Sequence, residues 1–158
     1  MPRSTTAAHE FFDTHVVPNH DEWLGQPTDL RQAMNAVLSL YHMADHFWHA
    51  YGEADPGRTF HTARAGEFRA EMARRYNLFA ILRDVAEAHK HMRLDRSVRS
   101  VTESSQTAVG STGYGEAGYG TGPYGGGPSI VVLLDDGSKQ HLSYLAHEVR
   151  QLWISMLT

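Results

Sequence analysis

Side chains that can bind metal ions recur every three or four residues in one stretch of the sequence: His42, Asp45, His46 and His49. On an α-helix this spacing puts them on one side, beside an apolar stripe that includes Tyr41. Two histidines at i and i+4 can hold one divalent metal ion if both imidazoles are neutral and another element supplies a third ligand. The alternative is a row of polar groups on a helix surface that bond to their neighbours.

A third ligand is available from a later helix, on which Asp84, Glu87 and His91 share one face. Two long helices joined by a modest connection pack most simply as an antiparallel hairpin, which would bring these faces together. The only cofactor that this pattern suggests is a divalent metal ion. Its candidate ligands are His42, His46, His49, Glu87 and His91.

A second candidate site lies in residues 83–91, which read RDVAEAHKH. RNA supplies its own nucleophile, so a cation for the phosphate and a titratable imidazole suffice for its cleavage. The spacing of Arg83 and His89 resembles the R-x(4–6)-H motif of HEPN domains, which are small helical domains common in bacterial toxin and defence systems. The run ending in Lys90 and His91 also resembles helical bacterial proteins that share a terminal Lys-His pair.

The HEPN resemblance implies a metal-independent ribonuclease that acts as a homodimer on RNA. Arg83 would hold the scissile phosphate, and His89 would transfer protons to and from the 2′-hydroxyl and the leaving oxygen. The alternative is structural. Arg83 and Lys90 would pair with carboxylates, and cations near a helix C-terminus would favour its dipole. Helical geometry places His89 about 120° from Arg83, toward the apolar face, where it would be buried.

Composition limits the class of protein. The chain has 158 residues, which fits a single domain over 1–158, and 41% of them are hydrophobic. A net charge of −4 argues against a broad nucleic-acid or anionic-membrane footprint, although it allows a local basic patch. There is no cysteine, no apolar run long enough to span a membrane and no secretory signal. These features predict a cytoplasmic protein without membrane contact.

Apolar periodicity predicts four helices. A short one begins at Thr5 or Thr6 and stops before Pro18, because proline disfavours the helical conformation of the preceding residue. A long helix follows an N-cap at Thr28 and ends at Tyr51. Another runs from about Gly66 to residues 92–94, and the last follows Ser143.

Between the last two helices the pattern changes to short strands, at residues 97–109, 130–134 and 139–142. The predicted fold is therefore α+β and mostly α: an antiparallel helical hairpin with a short N-terminal helix, a small antiparallel sheet and a C-terminal helix. Residues 110–127 form a Gly/Tyr-rich segment that predicts a flexible insertion between strands. Its evenly spaced tyrosines offer an alternative function, stacking on bases or on a partner.

These observations leave three hypotheses for the function. The first is a non-enzymatic binding or adaptor protein with an unknown protein partner. The second is a HEPN-like ribonuclease or toxin that uses Arg83 and His89. The third is a divalent-metal-binding protein that uses the two-helix histidine cluster.

Overall fold

The computed structural model describes residues 6–112, 117, 120–122 and 127–158. The prediction of a mostly helical α+β protein with a small antiparallel sheet and a C-terminal helix is confirmed. Most of the Gly/Tyr-rich segment, with Tyr114, Tyr119 and Tyr124, lies outside the described residues. The helices are α1 (Thr6–Phe11), α2 (Val17–Leu24), α3 (Leu30–Tyr51), α4 (Ala65–Arg75), α5 (Asn77–His91) and α6 (Leu142–Leu157), and the strands are β1 (Thr107–Gly110), β2 (Ser129–Leu133) and β3 (Lys139–His141).

The N-terminal helical segment continues past Pro18, so the predicted stop before this proline is wrong. A π-helical turn over Phe12–Val16 joins α1 to α2, and Pro18 occupies the first turn of α2. Proline is tolerated there because its missing N–H lies where the regular hydrogen-bond ladder is already interrupted. Trp23 then anchors α2 in the core, with 1% of its surface exposed.

Helix α3 is the central element of the core. Its N-cap is Asp29 rather than Thr28, and the Asp29 carboxylate accepts a hydrogen bond from the Gln32 N–H at 3.0 Å. The helix ends at Tyr51, as predicted, and it contacts α1, α2, α4, α5 and α6. It therefore determines where the polar side chains of α3, α4 and α5 meet.

The long helix predicted from Gly66 onward is in fact two helices. Tyr76 separates α4 from α5 and has an extended backbone, with φ −123° and ψ 101°. The apolar periodicity continues through this break, which is why the sequence pattern conceals it. The change of direction lets Phe68 of α4 and Phe79 of α5 both become fully buried.

The sheet has the strand order β1-β2-β3, with both pairs antiparallel. The strand predicted at residues 97–109 is wrong over most of its length, since β1 begins only at Thr107. In the segment before β1, backbone N–H groups donate to side chains rather than to a neighbouring strand. The Ser100 N–H donates to Asp84 at 2.6 Å, and the Thr102 N–H donates to Gln106 at 2.9 Å. This segment is consequently an ordered loop against α5 rather than a strand.

Helix α6 closes the core against α3 and α5. Trp153 is fully buried, and its indole N–H donates to the Leu40 carbonyl of α3 at 2.9 Å. Its ring lies 5.8 Å from that of Phe47 and 6.0 Å from that of Phe79. This aromatic contact fixes α5 relative to α3. Among the described helices, none is both long enough and apolar enough to cross a membrane.

Candidate functional site

The predicted metal ligands are distributed over two places. His46 packs against α1, where its ring stacks on Phe11 with the centroids 3.7 Å apart. His42 shares a cleft of about 330 Å³ with Glu87 and His91, whereas His49 is exposed and does not line it. Within the described ranges, no group of three or more His, Asp or Glu side chains is close enough to hold a metal ion. The two helices do face each other there, but the five predicted ligands do not converge.

Protein groups already occupy the Glu87 carboxylate in that cleft. It accepts a hydrogen bond from the Tyr41 hydroxyl at 2.5 Å and pairs with Arg96. Burial raises the pKa of Tyr41 above its usual value, so the phenol remains a donor at neutral pH. Asp45, at the same cleft, pairs with Arg69. A metal ion would have to displace Tyr41 and Arg96 to bind Glu87.

Asp84 is the centre of the charged network, and its side chain is completely buried. Its Oδ1 accepts hydrogen bonds from Arg83 at 3.2 Å and from Arg96 at 3.1 Å. Its Oδ2 accepts the Ser100 backbone N–H at 2.6 Å. A buried carboxylate needs such partners to stay charged. One carboxylate therefore fixes two guanidinium groups and the loop that follows α5.

Two positively charged side chains meet at Asp84. Arg83 and Arg96 share a single oxygen of this carboxylate. Burial and the neighbouring Arg83 charge lower the pKa of Arg96 below its usual value. Arginine remains protonated despite such shifts, so the repulsion is real and is offset in part by Asp84 and Glu87.

Beside this network lies a cleft of about 410 Å³, which we call the arginine cleft. It lies between α4, the first half of α5 and the loop anchored by Asp84. Three arginines contribute to its wall, and no Asp or Glu does so within the described part of the chain. Its lining residues are Ala70, Ala73, Arg74, Asn77, Ala80, Arg83, Val98, Arg99 and Ser100.

Each arginine of this cleft is held by two of its nitrogens. Arg74 binds Glu71 through Nε and Nη2, and Arg83 binds Asp84 through the same two atoms. Arg99 donates from Nε to Thr102 and from Nη1 to a backbone carbonyl. Among the described residues no hydrogen bond involves the remaining nitrogens, which are Arg74 Nη1, Arg83 Nη1 and Arg99 Nη2. The guanidinium groups are therefore positioned by the protein while each keeps a donor for a ligand.

The structure does not bring the two HEPN-type residues together in one chain. Arg83 lines the arginine cleft, whereas His89 does not and is exposed to solvent. The expectation that His89 is buried on the apolar face is wrong. On the regular helix α5 a separation of six residues rotates the two side chains about 120° apart and shifts them about 9 Å along the axis.

Sequence reasoning missed a second polar cluster at the sheet. His141 is buried, and its ring nitrogens bond to the hydroxyls of Ser129 at 2.9 Å and Thr112 at 3.0 Å. Burial lowers the pKa of His141, which keeps the imidazole neutral. Gly122 packs directly over this ring, since a Cβ there would lie 2.5 Å from Nε2. The cluster ties the described part of the glycine-rich segment to β3.

Comparison of the chain with protein-family models, with curated proteins and with solved structures finds no match.

The sequence analysis also missed Arg74 and Arg99 and the central position of Asp84. The available signal was local charge. Residues 64–99 contain nine of the 14 Lys and Arg residues but only five of the 18 acidic residues. This segment is basic within an acidic chain, and the structure folds it into the walls of the arginine cleft.

Proposed function

We propose that this protein is a binding protein whose ligand presents an anionic group, a phosphate or a carboxylate, to the arginine cleft. One observation carries the proposal: three arginines line one cleft, and each guanidinium group is fixed by two nitrogens and has a further donor available. Guanidinium groups match the geometry of oxyanions, and donors that are already positioned lose little side-chain entropy on binding.

Electrostatics supports the same ligand chemistry. The basic segment 64–99 supplies every lining residue of the cleft except Ser100, within a chain whose net charge is −4. Helix α5 begins at Asn77 in the cleft wall, so the positive end of its dipole adds to the potential of the arginines. Positive charge in the cleft wall would attract an anion.

The described lining favours binding over acid–base catalysis. It contains arginine, asparagine, serine and apolar side chains, but none of the histidine, carboxylate, lysine or tyrosine side chains that usually act as a general acid or base. His89, which a HEPN-type reaction would use as the acid and base, is not part of it. A binding function needs only the donors that the cleft provides.

Replacing one arginine of the cleft tests this proposal. We expect Arg74→Gln to weaken the binding of inorganic phosphate about tenfold, because one charge-assisted hydrogen bond is lost. Arg74 suits this test since it is exposed, so its replacement should leave the fold intact. Isothermal titration calorimetry at constant ionic strength gives the dissociation constants without a change in general screening.

Arg75→Gln is the matched control. Arg75 pairs with the same carboxylate of Glu71 as Arg74 does, but it does not line the cleft. The control variant should bind phosphate as the wild-type protein does. Equal losses in the two variants, or no binding of either phosphate or acetate by the wild-type protein, would show that the proposed site is wrong.

A further inference from the structure

The arginine cleft is larger than an inorganic oxyanion requires. Its volume of about 410 Å³ falls within the range of small-molecule sites, whereas phosphate has only five heavy atoms. The part of the cleft that a phosphate group would leave empty has to be filled by the rest of a ligand or by water. The chemistry of the remaining wall therefore indicates what is attached to the anionic group.

That remaining wall has short side chains, and four of its six residues are apolar. Ala70 and Ala73 of α4 face the cleft from one side, and Ala80 of α5 faces it from another. Val98 lies at the rim, and 81% of its surface is exposed. Alanine leaves room for a guest while offering it methyl groups to contact, and an exposed valine gains from being covered. The wall suits a compact apolar body.

We propose that the cleft takes a small organic oxyanion, in which a phosphate or carboxylate head group is joined to a compact apolar body such as an aromatic ring. This inference rests on the proposed function, since the arginines hold the head group. The apolar body lies against Ala70, Ala73 and Ala80, and Val98 covers it from the rim. The head group lies against the arginines because their charges are opposite, and the apolar body lies against the alanines because both surfaces are apolar.

The size of the cleft favours a small molecule over a protein partner. A stable protein interface buries about 800 Å² on each partner, which is far more than the lining of one cleft of this volume. A free acidic peptide is nevertheless a useful competitor, because its carboxylates share the head-group chemistry. Its binding relative to that of a small aromatic anion decides between the two kinds of ligand.

The experiment compares four probes in the wild-type protein by calorimetry: inorganic phosphate, phenyl phosphate, acetate and benzoate. We expect phenyl phosphate to bind about tenfold tighter than phosphate, and benzoate about tenfold tighter than acetate, because burial of the ring removes apolar surface from water. The stronger of the two pairs identifies the head group. Equal affinities within both pairs would overturn this inference and leave the proposed function standing, whereas no binding of any probe would overturn both.

Ala80→Leu tests the apolar wall, because the larger side chain fills the space assigned to the ring. We expect this variant to lose the preference for phenyl phosphate while its phosphate affinity changes by less than about twofold. Ala65→Leu, at a half-buried alanine of α4 outside the cleft, should keep the preference. Ala70→Leu, at an exposed position of the same wall, repeats the test without disturbing the core.

Two results would contradict the inference even if the wild-type protein prefers phenyl phosphate. One is a preference that persists in both Ala80→Leu and Ala70→Leu, which would place the ring elsewhere. The other is an acidic peptide of glutamates that binds tighter than phenyl phosphate and displaces it, which would assign the cleft to a protein partner.

Discussion

Replacing Asp84 by Asn is expected to destabilise the protein by about 3 kcal/mol, the lower end of the cost of breaking a buried charge pair. Asparagine keeps the shape of the side chain but removes the charge that holds Arg83 and Arg96 together. The lower end applies because 16% of the Arg83 side chain and 28% of the Arg96 side chain remain exposed, so water screens part of the loss. Urea denaturation at pH 7 measures the change in the free energy of unfolding.

Asp45→Asn provides the comparison for this prediction. Asp45 also pairs with an arginine, Arg69, but about a third of each side chain is exposed. Exposed pairs contribute at most about 1 kcal/mol, so this variant should lose far less stability. Equal losses from the two substitutions would show that Asp84 does not organise the network. Faster hydrogen exchange at the Ser100 amide in Asp84→Asn would confirm that the loop anchor is lost.

Acidification is expected to destabilise the protein through His20. This imidazole is 1% exposed, and burial followed by the Arg150 charge lowers its pKa to about 4, despite the opposing effect of Asp21. The unfolded chain has a histidine pKa near 6.5, so between these values the unfolded state binds more protons. Stability is therefore lost as the pH falls from about 6.5 to about 4, by roughly 3 kcal/mol from this group.

His20→Gln separates this contribution from that of the carboxylates that titrate in the same range. The variant cannot gain a proton at this position, so its free energy of unfolding should change less between pH 7 and pH 4.5 than that of the wild-type protein. His147→Gln is the control, because His147 is a histidine near His20 but is exposed. It should retain the wild-type pH dependence. An unchanged pH dependence in His20→Gln would refute the assignment.

Local patterns predicted the elements that depend on local physics. The apolar periodicity of α3 and the stop at Gly52 gave its end correctly, and the β-prone residues after Ser129 gave β2 to within a residue at each end. Both signals depend on residues that are neighbours in the sequence, and the predicted elements are stabilised by burial of one face. The fold class follows from the order of such elements, which is why it was predictable.

Tertiary contacts decided what the patterns could not show. The break at Tyr76 leaves the apolar periodicity intact, and only the packing of Phe68 and Phe79 against α3 requires it. The loop after α5 looked like a strand because its residues are β-branched and polar. Its backbone is instead bound by Asp84, which is 16 residues away in the sequence from Ser100. A prediction made from neighbouring residues cannot include that contact.

The candidate site was predictable only in part. The expected meeting of α3 and α5 is present, since His42, Glu87 and His91 line one cleft. The assignment of Glu87 as a metal ligand did not anticipate that Tyr41 and Arg96 would bind it. Arg83 was selected because it lies six residues before His89. The structure instead places it in one cleft with Arg74, which belongs to α4, and with Arg99, which lies in the loop after α5.

The most direct test of the arginine cleft is to observe its guanidinium groups during titration with phenyl phosphate. The Nε resonances of arginine side chains can be followed by nitrogen-15 NMR, with assignment from single Arg→Lys variants. The account predicts that the signals of Arg74, Arg83 and Arg99 shift together with one saturation curve, while that of Arg75 does not move. Saturable shifts confined to arginines outside the cleft, such as Arg58 and Arg150, or no shift in any of them, would contradict it.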